Sequence, residues 1–444
     1  MQQKEMEPVV YRNFLRILLT ILAAFVATAA AKPVTVTADV GFRWDFMQIM
    51  NSSSAPINET SDSSWLNKFW ITNIKSSLLI KSRIGENVTA FIKLYALAQF
   101  TVPFNNNNMV QQRSGGGGLD EALATYRFGA ADSLSPALTI GKFCFDYTRE
   151  WQRLGGYLFR TGVYPGYILS TYIDNRIMGG YLSVRLPTTL THRLFVTVEY
   201  EQKPLNDITL TYLGEMESAG ARLSAACMLH RLLRTDQGYY MYSAGSPMIA
   251  IEEWSDGGKK KYYPRAGVKL VGRILYDFQT LIKSARLGAN DLQIYVEAAL
   301  LGAQNFPGYY NKITERVPVM AGITLPAFKV LDLAGVEVEW YGSRWRNNPS
   351  WLGVPVPKET YIARPDGAGY VFVENPATED AGPKSKEDNI KWAVFVQKDV
   401  KNISLGLHAA SDHFRAPQDI GYQQRELLLT PREWYWQATL HTRF

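Results

Sequence analysis

Five histidines (His192, His230, His408, His413 and His441) and two cysteines (Cys144 and Cys227) are scattered through 444 residues. Only Ser404, His408 and Asp412 form a local group with the residue types of nucleophilic catalysis. Their spacing puts them on one face of a strand, but at ~3.3 Å per residue the outer two stand about 26 Å apart. A Ser–His–Asp relay works through direct hydrogen bonds, so this group is no triad. The glycine run Gly115–Gly118 lacks the Lys-Ser/Thr of a phosphate loop and reads as a flexible loop tip. Two cysteines are too few for a disulfide scaffold. They also fall on predicted strands about 19 Å apart, at ~4.8 Å per strand step, so both read as free. No catalytic residue, metal set or cofactor motif is expected, and the chain reads as a non-enzyme.

The chemistry with a pattern is charge. Where polar and apolar residues alternate, the polar side carries the bases Arg43, Lys75, Lys81, Arg83, Lys93, Arg127, Arg185, Arg193, Arg222, Lys269 and Arg273. It also carries the acids Asp39, Asp45, Glu121, Glu199, Glu201, Glu297, Glu337 and Glu339. Bases lean toward segments 66–131 and 262–277, and acids toward 291–303 and 332–344. Opposed walls of charge would set a transverse field across a watery passage. Pairing across strands is the plainer role for individual members.

One long connection stands out: "YTREWQRLGGYLFRTGVYPGYILSTYIDNR", Tyr147–Arg176, with Arg149, Arg153, Arg160, Arg176, Trp151 and five tyrosines. Folded inward, it would constrict a lumen; the alternative is packing over the mouth or against a neighbouring protomer. Guanidinium groups there would favour anionic or hydroxylated solutes, and aromatic faces would suit sugars. The pore-lining and constriction candidates are therefore Arg149, Arg153, Arg160, Arg176, Lys93, Arg127, Lys269, Arg273, Glu297, Glu337 and Glu339.

Those side chains need elements to hold them. Val34, Val36, Ala38, Val40, Phe42 and Trp44 alternate with Thr35, Thr37, Asp39, Gly41 and Arg43, a period of two that marks a strand. The same reading gives about sixteen strands: 33–46, 66–84, 88–101, 119–131, 136–147, 176–187, 191–202, 207–217, 219–232, 262–277, 291–303, 315–326, 332–344, 388–399, 402–412 and 432–444. A bulge is expected at Gly141-Lys142. Connections alternate between long (47–65, 102–118, 148–175, 233–261, 345–387, 413–431) and short (85–87, 132–135, 188–190), except that 203–206 is short where a long one is expected and 278–290 is longer than its neighbours. That alternation fits a transmembrane antiparallel up-and-down β-barrel with loops on one side and turns on the other. Aromatic residues on the apolar face gather near strand ends (Trp44, Phe46, Trp70, Tyr200, Trp340, Trp434, Trp436 and Phe444), where interfacial girdles belong. In the last strand Trp434, Trp436, Leu440 and Phe444 should face lipid, while Gln437, Thr439, His441 and Arg443 face inward.

The N-terminus adds a compartment. Lys4, Arg12 and Arg16 precede the apolar run Ile17–Ala31, which ends in small residues suited to cleavage. At about 15 residues the run is shorter than the ~20 of a spanning helix, so 1–31 reads as a secretory signal peptide and 32–444 as one barrel. Mean hydropathy is only −0.15 although 46% of residues are hydrophobic, as alternation requires. The net charge of +6 gives no case for nucleic acid.

With this map, the chain resembles Gram-negative outer-membrane porins. The terminal "WQATLHTRF" is similar to the signal by which barrel-assembly machinery recognises its clients, with Leu440, Thr442 and Phe444 at the matching positions. "LTIGKFCFDYTREWQRLGG" looks like a strand and loop of alginate-export-like porins. Here, though, Lys142 and Phe143 follow Gly141 where that family has Arg and Gln, so its substrate does not carry over. The resemblance implies a cell-outer-membrane channel for passive diffusion of small hydrophilic solutes. Its implied partners are outer-membrane lipid, the assembly machinery and such solutes, with a homo-oligomer left open. A structural or adhesive barrel acting through its outer loops, and an outer-membrane hydrolase, are the competing readings.

Overall fold

The computed structural model describes residues 34–50, 69–103, 111–129, 134–149, 151–160, 176–187, 189–199, 206–233, 235, 251–254, 260–263, 267–282, 284–303, 313–340, 360–363, 370–373, 390–413, 417–418, 421–422, 428 and 432–444. The expected signal peptide 1–31, with Tyr200, Glu201 and most of the longest expected connection, 345–387, lies outside them.

Alternation builds sixteen strands that close on themselves: β1 (Val34–Met50), β2 (Phe69–Ile84), β3 (Val88–Pro103), β4 (Gln111–Arg127), β5 (Ala137–Cys144), β6 (Arg176–Arg185), β7 (Leu190–Val198) and β8 (Ile208–Ser218). The second half is β9 (Ala221–Leu233), β10 (Gly267–Asp277), β11 (Gln293–Leu300), β12 (Val319–Thr324), β13 (Leu333–Trp340), β14 (Ile390–Val400), β15 (Ile403–Ala410) and β16 (Trp434–Arg443). Every neighbouring pair is antiparallel and sequential, and β16 closes on β1 from Gly41↔Arg443 to Met50↔Trp434. Closure removes the two unpaired edges an open sheet would expose, which is what a strand protein in lipid requires. Past the last strand, Phe444 exchanges backbone hydrogen bonds with Val40, at 2.9 and 3.0 Å, and leaves its ring exposed.

The two faces are inverted relative to a soluble barrel. On β11, Gln293, Tyr295, Glu297 and Ala299 are buried, while Ile294 and Val296 are exposed. On β10, Lys269, Val271, Arg273 and Leu275 are buried between exposed Leu270 and Ile274. Carboxylates inward and branched aliphatics outward is the arrangement of a barrel whose outer solvent is hydrocarbon. Aromatic residues rim this belt. At the long-connection end Phe46 stacks on Trp70 (4.9 Å between ring centroids), and Trp436 meets both edge-on at 5.8 and 5.7 Å. At the other end Tyr126–Phe128 and Tyr276–Phe278 pack edge-on, each pair at 4.9 Å.

Two expectations need correction. Gly115–Gly118 is not a loop tip: it lies inside β4, paired with Tyr95, Ala96, Leu97 and Ala98. Four residues without side chains show no alternation, so the sequence pattern starts only at Leu119. The β3–β4 register instead slips twice, at Asp120 between Lys93 and Leu94 and at Arg113 between Gln99 and Phe100. Conversely, no bulge interrupts β5 at Gly141-Lys142; the register runs straight through. Gly141 holds φ +141° opposite Gly179 at +148°, and a Cβ at Gly141 would collide with the Ala122 carbonyl oxygen. Both cysteines are free, as expected.

Candidate functional site

The connection after β5 turns into the barrel. In a ring of sixteen strands, β13 lies diametrically opposite β5, and the loop reaches it. The Arg153 and Leu154 amides donate to Glu337 Oε2 on β13 at 2.9 and 2.8 Å. Gly156 and Tyr157 amides donate to Glu297 on β11 at 3.1 and 2.8 Å, and Tyr147 Oη donates to the same carboxylate at 2.5 Å. Tyr157 Oη donates to Glu339 Oε1 at 2.6 Å. On the other oxygen of Glu339, His413, from the connection after β15, stands at 2.5 Å.

Cations of β10 complete the seat. Lys269 Nζ donates to the carbonyls of Tyr157 and Leu158, at 2.9 and 3.3 Å. Arg273 Nη1 donates to Gln152 Oε1 at 2.6 Å and to Glu297 at 3.3 Å. Leu154, Tyr157 and Leu158 are as buried as core residues, so the loop and this wall form one packed unit. Burial, then the neighbouring Glu297 and Glu339 carboxylates, push the hydroxyls of Tyr147 and Tyr157 well above the ordinary phenol range. They therefore remain donors at any physiological pH.

The local sequence explains the shape. Gly155 and Gly156 both adopt left-handed φ, +73° and +72°, and turn successive amides toward the carboxylates. A Cβ at Gly155 would meet Met320 Cε at 2.6 Å and Glu297 Oε2 at 3.1 Å, so only glycine lets the backbone lie this close. At the root of the loop, Phe145 and Phe159 pack on Phe195 at 4.8 and 5.3 Å between centroids, above Tyr181 and Phe143.

The wall of β1–β4 is different. Arg43 pairs with Asp45 at 2.9 Å, Lys75 and Lys93 with Asp120 at 3.4 Å, and Lys93 also with Glu121 at 3.3 Å. The cationic side chains keep 39, 25 and 31% of their surface in water, whereas Asp120 keeps 1%. On the loop side Arg273, Glu297 and Glu339 keep 1% or less.

The structure thus brings Lys269, Arg273, Glu297, Glu337 and Glu339 together and sets Lys93 on a separate wall. Arg127 lies at the short-turn end of β4, its amide bonded to the Asn87 carbonyl oxygen at 2.8 Å, away from the loop. Arg149 is half buried, and its guanidinium is held below its ordinary range by burial, then by Arg222, with Arg273 a smaller cause. Arg153 contributes its amide, and its side chain is among the positive charges facing Asp412. The side chains of Arg160, which ends the single helical turn Tyr157–Arg160, and of Arg176, which starts β6, lie outside the described residues. Members of this seat absent from the sequence-based candidates are Tyr147, Gln152, Gly155, Tyr157 and His413; the tyrosine-rich connection and its Gly-Gly pair are the visible signals.

Ser404, His408 and Asp412 share no direct link. Tyr435 Oη stands between, donating to Asp412 Oδ2 at 2.9 Å and lying 3.1 Å from His408 Nε2. Among the described residues, no group of three or more His, Cys, Asp or Glu could hold a metal ion.

No family model and no curated protein matches the chain. Solved structures that resemble it are bacterial porins. One is a mutant of Rh. blastica porin, at 8% identity and TM-score 0.44, covering 92% of this chain and 100% of that one. Another is Salmonella typhi OmpF in complex with daunomycin, at 11% identity and TM-score 0.46, covering 92% and 97%. At such identities and TM-scores the likeness carries no inference about the solute.

Proposed function

We propose that the chain is an outer-membrane porin, a water-filled channel for passive diffusion of small hydrophilic solutes, exported by a leader over 1–31. The observation that carries this reading is the inverted barrel with one loop seated across it. Sixteen strands enclose more space than wall side chains fill, and among the described residues 145–149 and 151–160 pack against the β10–β13 side of it. The conducting path then runs along β1–β4, where Arg43, Lys75 and Lys93 stand in water in front of more buried acids. A guanidinium or ammonium layer over shielded carboxylates favours anions, including acidic sugars. Phe444, with its free ring at the seam, fits an assembly signal.

Planar-bilayer recording of refolded protein tests the reading. Stepwise ohmic conductance with anion preference in a KCl gradient is expected; folded, inserted protein that never conducts would sink it.

A further inference from the structure

Beneath the loop, on the inward wall of β9 and β10, hydrogen-bond donors outnumber the acceptors that reach them. Arg149 Nε is buried with no hydrogen-bond partner among the described residues. Arg273 spends Nη1 on Gln152 and Glu297, but its Nε is likewise buried and without an acceptor. Ser224 is the direct cross-strand partner of Arg273, and its buried hydroxyl has no partner among the described residues. Arg222 sits two residues from Ser224 on the same inward face of β9, with 28% of its side chain in water, so the group borders the aqueous space.

Nearby carboxylates engage part of the group, Glu217 through Arg222 and Glu297 through Arg273, and leave the three orphaned atoms unpaired. Glu215 pairs with Arg193, Glu217 with Arg222 at 3.2 Å, Asp277 with the Gln279 amide at 2.9 Å, and Glu297 with the loop amides. A buried donor without an acceptor costs about 1–3 kcal/mol. Three lie on neighbouring residues, two of them guanidinium-bearing, and call for an acceptor that also carries negative charge. Water would satisfy the hydrogen bonds but would add no charge against Arg222 and Arg273 at Arg149, whose fields Glu217 and Asp277 oppose.

We propose that Arg149, Arg222, Ser224 and Arg273 form a binding site for a small oxyanion, the carboxylate or phosphate group of a permeating solute. This rests on the channel reading only for the anion's route in. The site would hold an anion briefly beneath the loop, so that selectivity includes a saturable step besides the open cationic wall.

Titration of inorganic phosphate into the refolded, detergent-solubilised barrel by calorimetry tests the site without needing current. Saturable single-site binding is expected, weakened about tenfold in Arg149→Gln, the loss of one charge-assisted hydrogen bond. Ser224→Ala removes one hydroxyl with little risk to folding and should weaken binding about threefold. No saturable binding, or equal affinity in both variants and wild type, would overturn the site and leave water as the acceptor. Bilayer recording with added phosphate separates the two ideas. Binding without conduction sinks the channel and leaves the site; conduction without phosphate binding sinks the site.

Discussion

Opposite walls of one barrel use the same residue types for different ends. On β10–β13, Lys269, Arg273, Glu297, Glu337 and Glu339 lie under the loop and hold its amides, carbonyls and tyrosine hydroxyls. On β1–β4, Arg43, Lys75 and Lys93 pair with acids yet stay in water. Charge on a lumen wall therefore does not by itself mean contact with solute: cover decides. A covered carboxylate is a fastener, and its neutralisation should change structure. On the channel reading proposed above, an uncovered lysine is part of the path, and its neutralisation should change selectivity.

The largest effect should come from Glu297→Ala. It strands Arg273 in a buried site and frees the amides of Gly156 and Tyr157, and losing one partner of a buried ion pair costs about 3–5 kcal/mol. Conductance should rise, and limited proteolysis should cut within 145–160; wild-type resistance to protease would break the distinction between the walls. Gly155→Ala should act in the same direction more weakly, by about 1–3 kcal/mol, because an alanine at φ +73° meets Met320 and Glu297. A small drop in thermal stability with a noisier open channel would be its signature.

Asp412→Asn tests the sealed side through pH. Burial raises the Asp412 carboxyl above its ordinary range, although the Tyr435 hydrogen bond and the charges of Arg153, His413 and Lys391 oppose the shift. The folded state then holds a proton that the unfolded state has released. This residue's contribution should therefore fall as pH rises from the ordinary carboxylate range through the raised value. In the Asp412→Asn variant that slope should vanish, with stability at neutral pH unchanged or higher by up to about 1 kcal/mol. Urea titrations at a series of pH values would read it. Lys93→Gln should have the smallest structural effect, within about 0.5 kcal/mol. Yet its reversal potential in a salt gradient should move toward cations. A Glu337→Gln barrel with the loop still seated should not shift in that way.

Much of this architecture is written in alternation. All sixteen strands follow from the period-two pattern, because each strand separates lipid from lumen residue by residue. The start of β4 escapes it because Gly115–Gly118 has no side chains to alternate. The loop is harder. Counting charges locates the acids of β11 and β13 and the arginines of 147–176, and reads both as pore-lining or constricting groups that face solute. The structure seats the acids instead on backbone amides turned by Gly155-Gly156 and on Tyr147 and Tyr157. Backbone donors carry no mark in a residue inventory, and their direction depends on φ values that only the fold sets.

Hydrogen–deuterium exchange of the folded barrel tests the central claim most directly. If the loop is fastened to the β11 and β13 carboxylates, the amides of Arg153, Leu154, Gly156 and Tyr157 should exchange as slowly as those within β11. Exchange of these amides within seconds, while β11 stays protected, would mean that the loop is unfastened and that the acid wall faces water as the basic wall does.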